Sequence, residues 1–507
     1  MMQPKGIDKI LNIALVIATL AAALWILFIY ADANMQHYNA HMEADIASET
    51  LLADVLHENG HVQPDTWQMS TARRIIAAPM LASFLYPVAG GNMVPAMGLA
   101  CTLMILMMIA AMLFFNRQIG LGLRESLVAV LIMLMLSAPS DEAQRMLFLY
   151  ASYYVGHFIS MFIVLGLYAR ALKRGRLSVL TVVITLPLAV INGIQGSHAS
   201  MFFYLPMLGA EILRRMTLLI KKEKSSFAIS IWVAVVAVVS YVCSKIFEFG
   251  VTGVSRNIRH APEKFFGEVL PAFKVVLFYG RLEFVVIILI IAAIAGYMLA
   301  VKELSKTSEL WATLPIVFGV IVVLLSATFT TAEVAPRYFI MQIFVLACGV
   351  PLLMKLFSGK MATLLALIVI IYAVDSAMAF DDGLIKSDHS ADSEYVKVAH
   401  FMEEAGYKYG YSTFDHANPI TVMSYGKAKV RAVNSFDEMQ GLKWLTDSSW
   451  YPPAKDVDSP TCYVVSRARQ EEFDKFVSRE NPKIIDSKEF DSFVVYVTDK
   501  DYTYWVD

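Results

Sequence analysis

A chain of 507 residues with 57% hydrophobic and only 17% charged side chains is too apolar for a water-soluble globule, which sits nearer about 45–50% apolar and about 25% charged. A formal net charge of -2 with no long basic tract gives nucleic acid no purchase. Cys101, Cys243 and Cys348 lie in apolar runs and Cys462 in a polar tail, which suits small buried hydrophobes rather than a disulfide framework or a metal site.

The first apolar run, residues 10–30, lacks a small-residue cleavage site and is followed by many others, so it reads as a retained anchor rather than a signal peptide. Further runs fall near 92–115, 125–138, 149–169, 177–193, 200–217, 227–247, 283–301, 309–328, 338–354 and 361–379. About 20 helical residues cross a bilayer core, which gives a count of about eleven spans. One alternate set of connections holds Lys5 and Lys9, Arg117 and Arg124, Arg170 to Arg176, Arg214 to Lys224, Lys302 and Lys306, and Lys355 and Lys360. Basic connections face the cytoplasm. The N-terminus is therefore expected inside, and residues 32–74 and everything after about 380 outside.

Residues 75–90 are apolar but carry Pro79 and Pro87 and are short for a span, so an interfacial or re-entrant segment is expected there. Within 248–282 lysine, glutamate and phenylalanine mix as in a helix lying on a membrane surface. Beyond about 385 the composition turns polar. Strand-like runs at 462–466 and 493–498 and amphipathic stretches at 394–405 and 470–478 predict a small soluble α/β domain. The expected organisation is a membrane domain, 1–384, with an external loop at 32–91, and an extracytoplasmic α/β domain, 385–507.

The 32–74 stretch concentrates ionisable groups: Asp32, Glu43, Asp45, Glu49 and Asp54 stand among His37, His41, His57 and His61. A bare charge at the bilayer centre costs about 2.5 kcal/mol or more, so this stretch lies outside the hydrocarbon or lines a wet cavity. Ile46, Leu52 and Leu56 predict an amphipathic helix with Asp45 in its first turn, where exposed backbone N–H groups favour a carboxylate. Asp45 there suits a proton acceptor, a metal ligand together with Glu43, or a plain helix cap. His37 and His41, spaced i,i+4, are either ligands or ordinary loop histidines.

Arginine offers a planar donor set matched to phosphate. Arg73 and Arg74 follow the acidic stretch, Arg145 follows the third run, Arg256, Arg259 and His260 sit in the 248–282 loop, and Arg337 opens a late run beside Glu333, Pro336 and Tyr338. Each serves a ligand phosphate or snorkels to headgroups. In 192–200, Gly193 and Gly196 allow close packing, and Gln195 and His198 either line a cavity or belong to a plain hairpin. Residues 409–427, with Trp444 and Trp450, suit a carbohydrate surface or a domain core equally.

This arrangement resembles the GT-C class of polytopic glycosyltransferases, which take a sugar from a polyprenyl-phosphate carrier outside the cytoplasmic membrane. Members have an inside N-terminus, a long external loop after the first span with an acidic pair such as Glu-x-Asp, and an arginine near the outer end of a late span. Glu43-Ala44-Asp45 and Arg337 are the matching positions. The resemblance implies catalysis by Asp45 with Glu43, and a donor phosphate held by Arg337 with Arg73 and Arg74. His41, Arg145, His198, Arg256, Arg259 and His260 become candidate cavity-lining residues. It implies a polyprenyl-phosphate-linked sugar donor, a glycan, lipid or protein acceptor, and a multi-pass plasma-membrane location, with a divalent metal left open. No Trp-Trp-Asp-Tyr-Gly motif of the oligosaccharyltransferase branch is present. The rival classes are a flippase or transporter, which predicts charged or broken helices at midplane, and a non-catalytic assembly subunit.

Overall fold

A computed structural model describes residues 5–70, 73–136, 145–149, 154–223, 226–247, 254–276, 307–356, 359–453 and 458–506. The chain falls into two compact units. The first holds Met1–Ala31, Ala72–Ala77 and Thr102–Gly383; the second holds Asp32–Thr71, Ala78–Cys101 and Leu384–Asp507.

The protein is mostly helical and multi-span, yet the expected eleven spans are not all of spanning length. Among the described residues seven helices are long and apolar enough to cross a membrane: Ile10–Gln36, Met93–Gln118, Val155–Arg174, Phe227–Ile246, Ser308–Phe329, Pro336–Lys355 and one beginning at Lys360. The 125–138 run forms a 13-residue helix, Leu123–Met135, which rises about 20 Å against a hydrocarbon core of about 30 Å. The 177–193 run becomes the 16-residue helix Val179–Ile194. The 200–217 run divides into a π-helical turn, Ser200–Tyr204, and the helix Leu205–Ile220, which carries Glu211, Arg214 and Arg215. The 283–301 run lies outside the described residues.

One charged cluster inside the first unit is closed upon itself. Arg214 donates from Nε to Glu211 Oε2 and from Nη2 to Oε1, both at 2.7 Å, and Tyr168 donates its hydroxyl to Oε2 at 2.7 Å. Ser230 donates to Oε1 as well, and Arg215 Nε lies 3.4 Å from that oxygen. The cluster joins Val155–Arg174, Leu205–Ile220 and Phe227–Ile246. The helices Val179–Ile194 and Phe227–Ile246 approach closely at Gly193, where a Cβ would lie 2.6 Å from the Ser240 carbonyl oxygen. Gly196, at φ +104°, turns the chain just after.

In the second unit a five-stranded mixed sheet runs in the order β3-β2-β5-β7-β6, formed by β2 (Tyr409–Thr413), β3 (Lys429–Val433), β5 (Thr461–Ser466), β6 (Ile484–Glu489) and β7 (Phe493–Thr498). β2 pairs parallel with β3 and β5, and β7 antiparallel with β5 and β6. Side chains of β5 alternate as the pleat requires: Cys462 and Val464 join a core with Val398, Met402 and Ile420 from the helices Glu394–Glu404 and Phe414–Met423. Tyr463 and Val465 join the opposite core, with Phe473 and Phe476 from Gln470–Glu480. A separate pair, β1 (Trp67–Gln68) and β4 (Thr446–Asp447), sets Trp67 opposite Asp447.

Candidate functional site

The acidic stretch folds as expected at its start. Glu43 precedes the helix Ala44–Glu58 in extended backbone, its carbonyl accepts from Ala47 N at 2.8 Å, and Asp45 occupies the first turn. Both carboxylates are half-buried, near a helix end whose first amide N–H groups have no partner within the helix. The helix is buried over most of its circumference, with Ile46 through Leu56 enclosed apart from Asp54, where a single apolar face was expected. Its second partner is the cause: Phe414–Met423 packs on it, and Asn418 Nδ2 donates to Ser48 Oγ at 2.8 Å.

The histidines are spoken for. His37 Nδ1 lies 2.8 Å from an Asp388 carboxylate oxygen, and His41 Nε2 lies 3.4 Å from the Leu384 carbonyl. His57 and His61 reach the Ser83 carbonyl and hydroxyl at 3.0 and 3.1 Å and stack against Tyr86 and Phe84, which holds the helix Ala78–Leu85. Among the described residues no group of three or more His, Cys, Asp or Glu side chains gathers around a metal-sized space.

The first unit gathers a separate set. Arg74 is buried and Arg73 exposed. The backbone that follows is held by Gln195, whose Oε1 accepts from Ile75 N at 2.9 Å and also from Ile76 N. A Cβ on Gly156 would fall 1.9 Å from the Ile76 carbonyl oxygen, so only glycine admits this approach. The neighbouring His157 Nδ1 lies 2.9 Å from Asn192 Oδ1, and the His157 and His198 rings stack at 6.1 Å, with Tyr154 edge-on to His198 at 5.2 Å. The positive charges of Arg74 and Arg337 both act on His198. Arg337 is half-buried in the short 3-10 helix Pro336–Phe339, its guanidinium 5.6 Å from the Tyr338 ring centroid.

Arg256, Arg259 and His260 are exposed, and His260 engages its local neighbour Glu263 at 3.1 Å. Their segment is strapped to the one before Arg337 by Asn257 N to Phe329 O and Thr331 N to Ser255 O, at 2.8 and 2.9 Å. Lys264, absent from the sequence expectations, anchors that strap by donating to the Thr330 and Ala332 carbonyls at 2.7 and 2.5 Å. His157 and Asn192 were missed as well, because a buried polar residue inside an apolar run looks like any other tolerated interruption. The Arg145 side chain lies outside the described residues.

No protein-family model matches this sequence, and no curated protein matches it. In solved structures the chain is similar to ArnT from Cupriavidus metallidurans. In the apo state the TM-score is 0.57 at 12% identity, covering 95% of this chain and 97% of that one. Bound to undecaprenyl phosphate the TM-score is 0.53, with the same identity and coverage. The Archaeoglobus fulgidus oligosaccharyltransferase in complex with zinc and sulfate covers 80% of this chain and 61% of its own at TM-score 0.47 and 12% identity. At such identity the ArnT likeness speaks for fold alone: this chain is a multi-span helical membrane protein with a β-containing C-terminal region, and its fold is similar to that of ArnT.

Proposed function

We propose that this protein transfers a sugar from a polyprenyl-phosphate carrier to a glycan, lipid or protein acceptor on the outer side of a bacterial plasma membrane, with its N-terminus in the cytoplasm. The observation that carries this reading is the half-buried Glu43-Ala44-Asp45 at the start of Ala44–Glu58, in a fold like that of a protein whose structure holds undecaprenyl phosphate. Asp45 accepts the proton of the acceptor hydroxyl as that oxygen bonds to the anomeric carbon. The bond from that carbon to the carrier phosphate breaks, and the phosphate leaves with the electron pair and the sugar inverted. A phosphate leaves without acid help, so cations suffice to stabilise it, a task we give to Arg337 with Arg73 and Arg74.

The test is sugar transfer from a panel of radiolabelled polyprenyl-phosphate sugars in membranes carrying wild-type or Asp45→Asn protein. Loss of about 10²–10⁴-fold in the variant, at unchanged protein level, is the expected result. Near-normal turnover by Asp45→Asn overturns its role as base. A wild-type protein that binds carrier yet turns over no donor overturns transfer itself and favours a flippase or an assembly subunit.

A further inference from the structure

The second unit contains a cavity of about 690 Å³ that the proposed chemistry does not use, within the range of small-ligand sites, roughly 300–1,000 Å³. Two of its walls carry opposite charges. Asp54 and Glu58, one turn apart on Ala44–Glu58, line one wall; Lys429 and Arg431, alternate residues of edge strand β3, line the other. Asp54 feels both cations, yet none of the four side chains closes an ion pair or a side-chain hydrogen bond with a described residue.

Arg431 is the best-defined of the four. Its guanidinium carbon lies 3.7 Å from the centroid of the Trp450 ring, a stacking that fixes the plane of the donors. Its Nη1 is buried and hydrogen-bonds to nothing among the described residues. Burying such a donor without a partner costs about 1–3 kcal/mol, a cost that a polar guest or water in the cavity offsets. Burial brings the Arg431 guanidinium down to about 10, and burial, with Glu58 beside it, holds the Asp54 carboxyl above the usual range. Both residues are half-buried.

The charges on the walls cancel, which disfavours a strongly anionic or cationic guest. What suits them is a neutral molecule with many hydroxyls, each able to donate to a carboxylate and accept from a guanidinium at once. Exposed aromatic faces at the rim, Tyr409 and Tyr425, suit the apolar C–H face of a sugar ring. We infer that this cavity binds a neutral saccharide unit of the acceptor, held between Asp54 and Arg431. The word acceptor rests on the transfer reading; the saccharide class rests on the cavity alone.

The experiment has two arms, both on the full chain in lipid nanodiscs. The first measures binding of glucose-, galactose-, mannose- and N-acetylglucosamine-terminated oligosaccharides by calorimetry to the wild type, Arg431→Gln, Asp54→Asn and the exposed-pair variant Glu58→Gln/Lys429→Gln. Saturable binding weakened about 10-fold or more by each single change, and several-fold by the exposed pair, is expected. No binding of any probe, or equal binding by all four proteins, overturns the proposal. If both single variants fail to fold, unchanged binding by the exposed-pair variant overturns it. The second arm measures transfer: Asp54→Asn raises acceptor KM at constant kcat, and an unchanged KM with lost binding overturns the acceptor role. A wild type that binds glycan but transfers nothing defeats the transfer reading while leaving the cavity's ligand class supported.

Discussion

Two clusters of the same residue types have opposite designs. In the first unit Glu211, Arg214 and Tyr168 close on one another, with Glu211 and Arg214 side chains only 2% and 3% exposed. In the second, Asp54 and Glu58 stand off from Lys429 and Arg431 across a cavity. The difference follows from the solvent each answers to. Within a bundle of membrane helices no water waits to satisfy an open carboxylate, so each oxygen must find a fixed donor during folding. A domain in water loses little by leaving a gap, because ordered water fills it until a better guest arrives. Closed charge holds helices together; open charge is available for recognition.

This contrast can be broken by substitution. Glu211→Gln should do the most damage, since it leaves Arg214 buried and uncompensated at a cost of about 3–5 kcal/mol. Thermal unfolding in detergent should show it as a lower midpoint, and Glu211→Leu combined with Arg214→Leu should recover most of the loss. Equal loss in the double variant would mean the cluster contributes more than closure. Arg337→Ala should be intermediate: losing a charged hydrogen bond to phosphate, worth about 1.5–3 kcal/mol, should weaken carrier binding about 10- to 100-fold with thermal stability unchanged. A fall in stability instead would make Arg337 another closing charge. His37→Ala should do least. Its contact with Asp388 is partly exposed, at 25% and 17%, and such pairs contribute about 0–1 kcal/mol, so a small shift in unfolding midpoint, reduced in salt, is expected.

The sequence exposes what is periodic and hides what is long-range. Apolar runs located the membrane helices, and alternation marked β5 and β7 because Cys462 and Val464 face one core while Tyr463 and Val465 face the other. Asp45 was readable as a first-turn carboxylate because helix starts are local. The helix count was not readable. Nor was the pairing of Arg214 and Arg215, read as basic residues of a connection, with Glu211 one turn earlier. Nor was the cavity: Asp54 and Arg431 come to line it because Phe414–Met423 packs on both Ala44–Glu58 and β3, and no spacing within either segment announces the other. His37 and Asp388, 351 residues apart, were hidden in the same way.

The second unit is assembled from early and late parts of the chain, Asp32–Thr71 and Ala78–Cys101 with Leu384–Asp507. During synthesis the apolar surface of Ala44–Glu58 is complete long before the ribosome reaches Phe414, an interval on the order of tens of seconds at typical elongation rates. Throughout it, the side of Ala44–Glu58 that holds Ser48 lacks the helix that will pack on it. A nascent chain built in this order needs a chaperone or the membrane surface to shield that segment. A premature stop near residue 384 would leave the segment permanently unshielded and mark the truncated product for degradation.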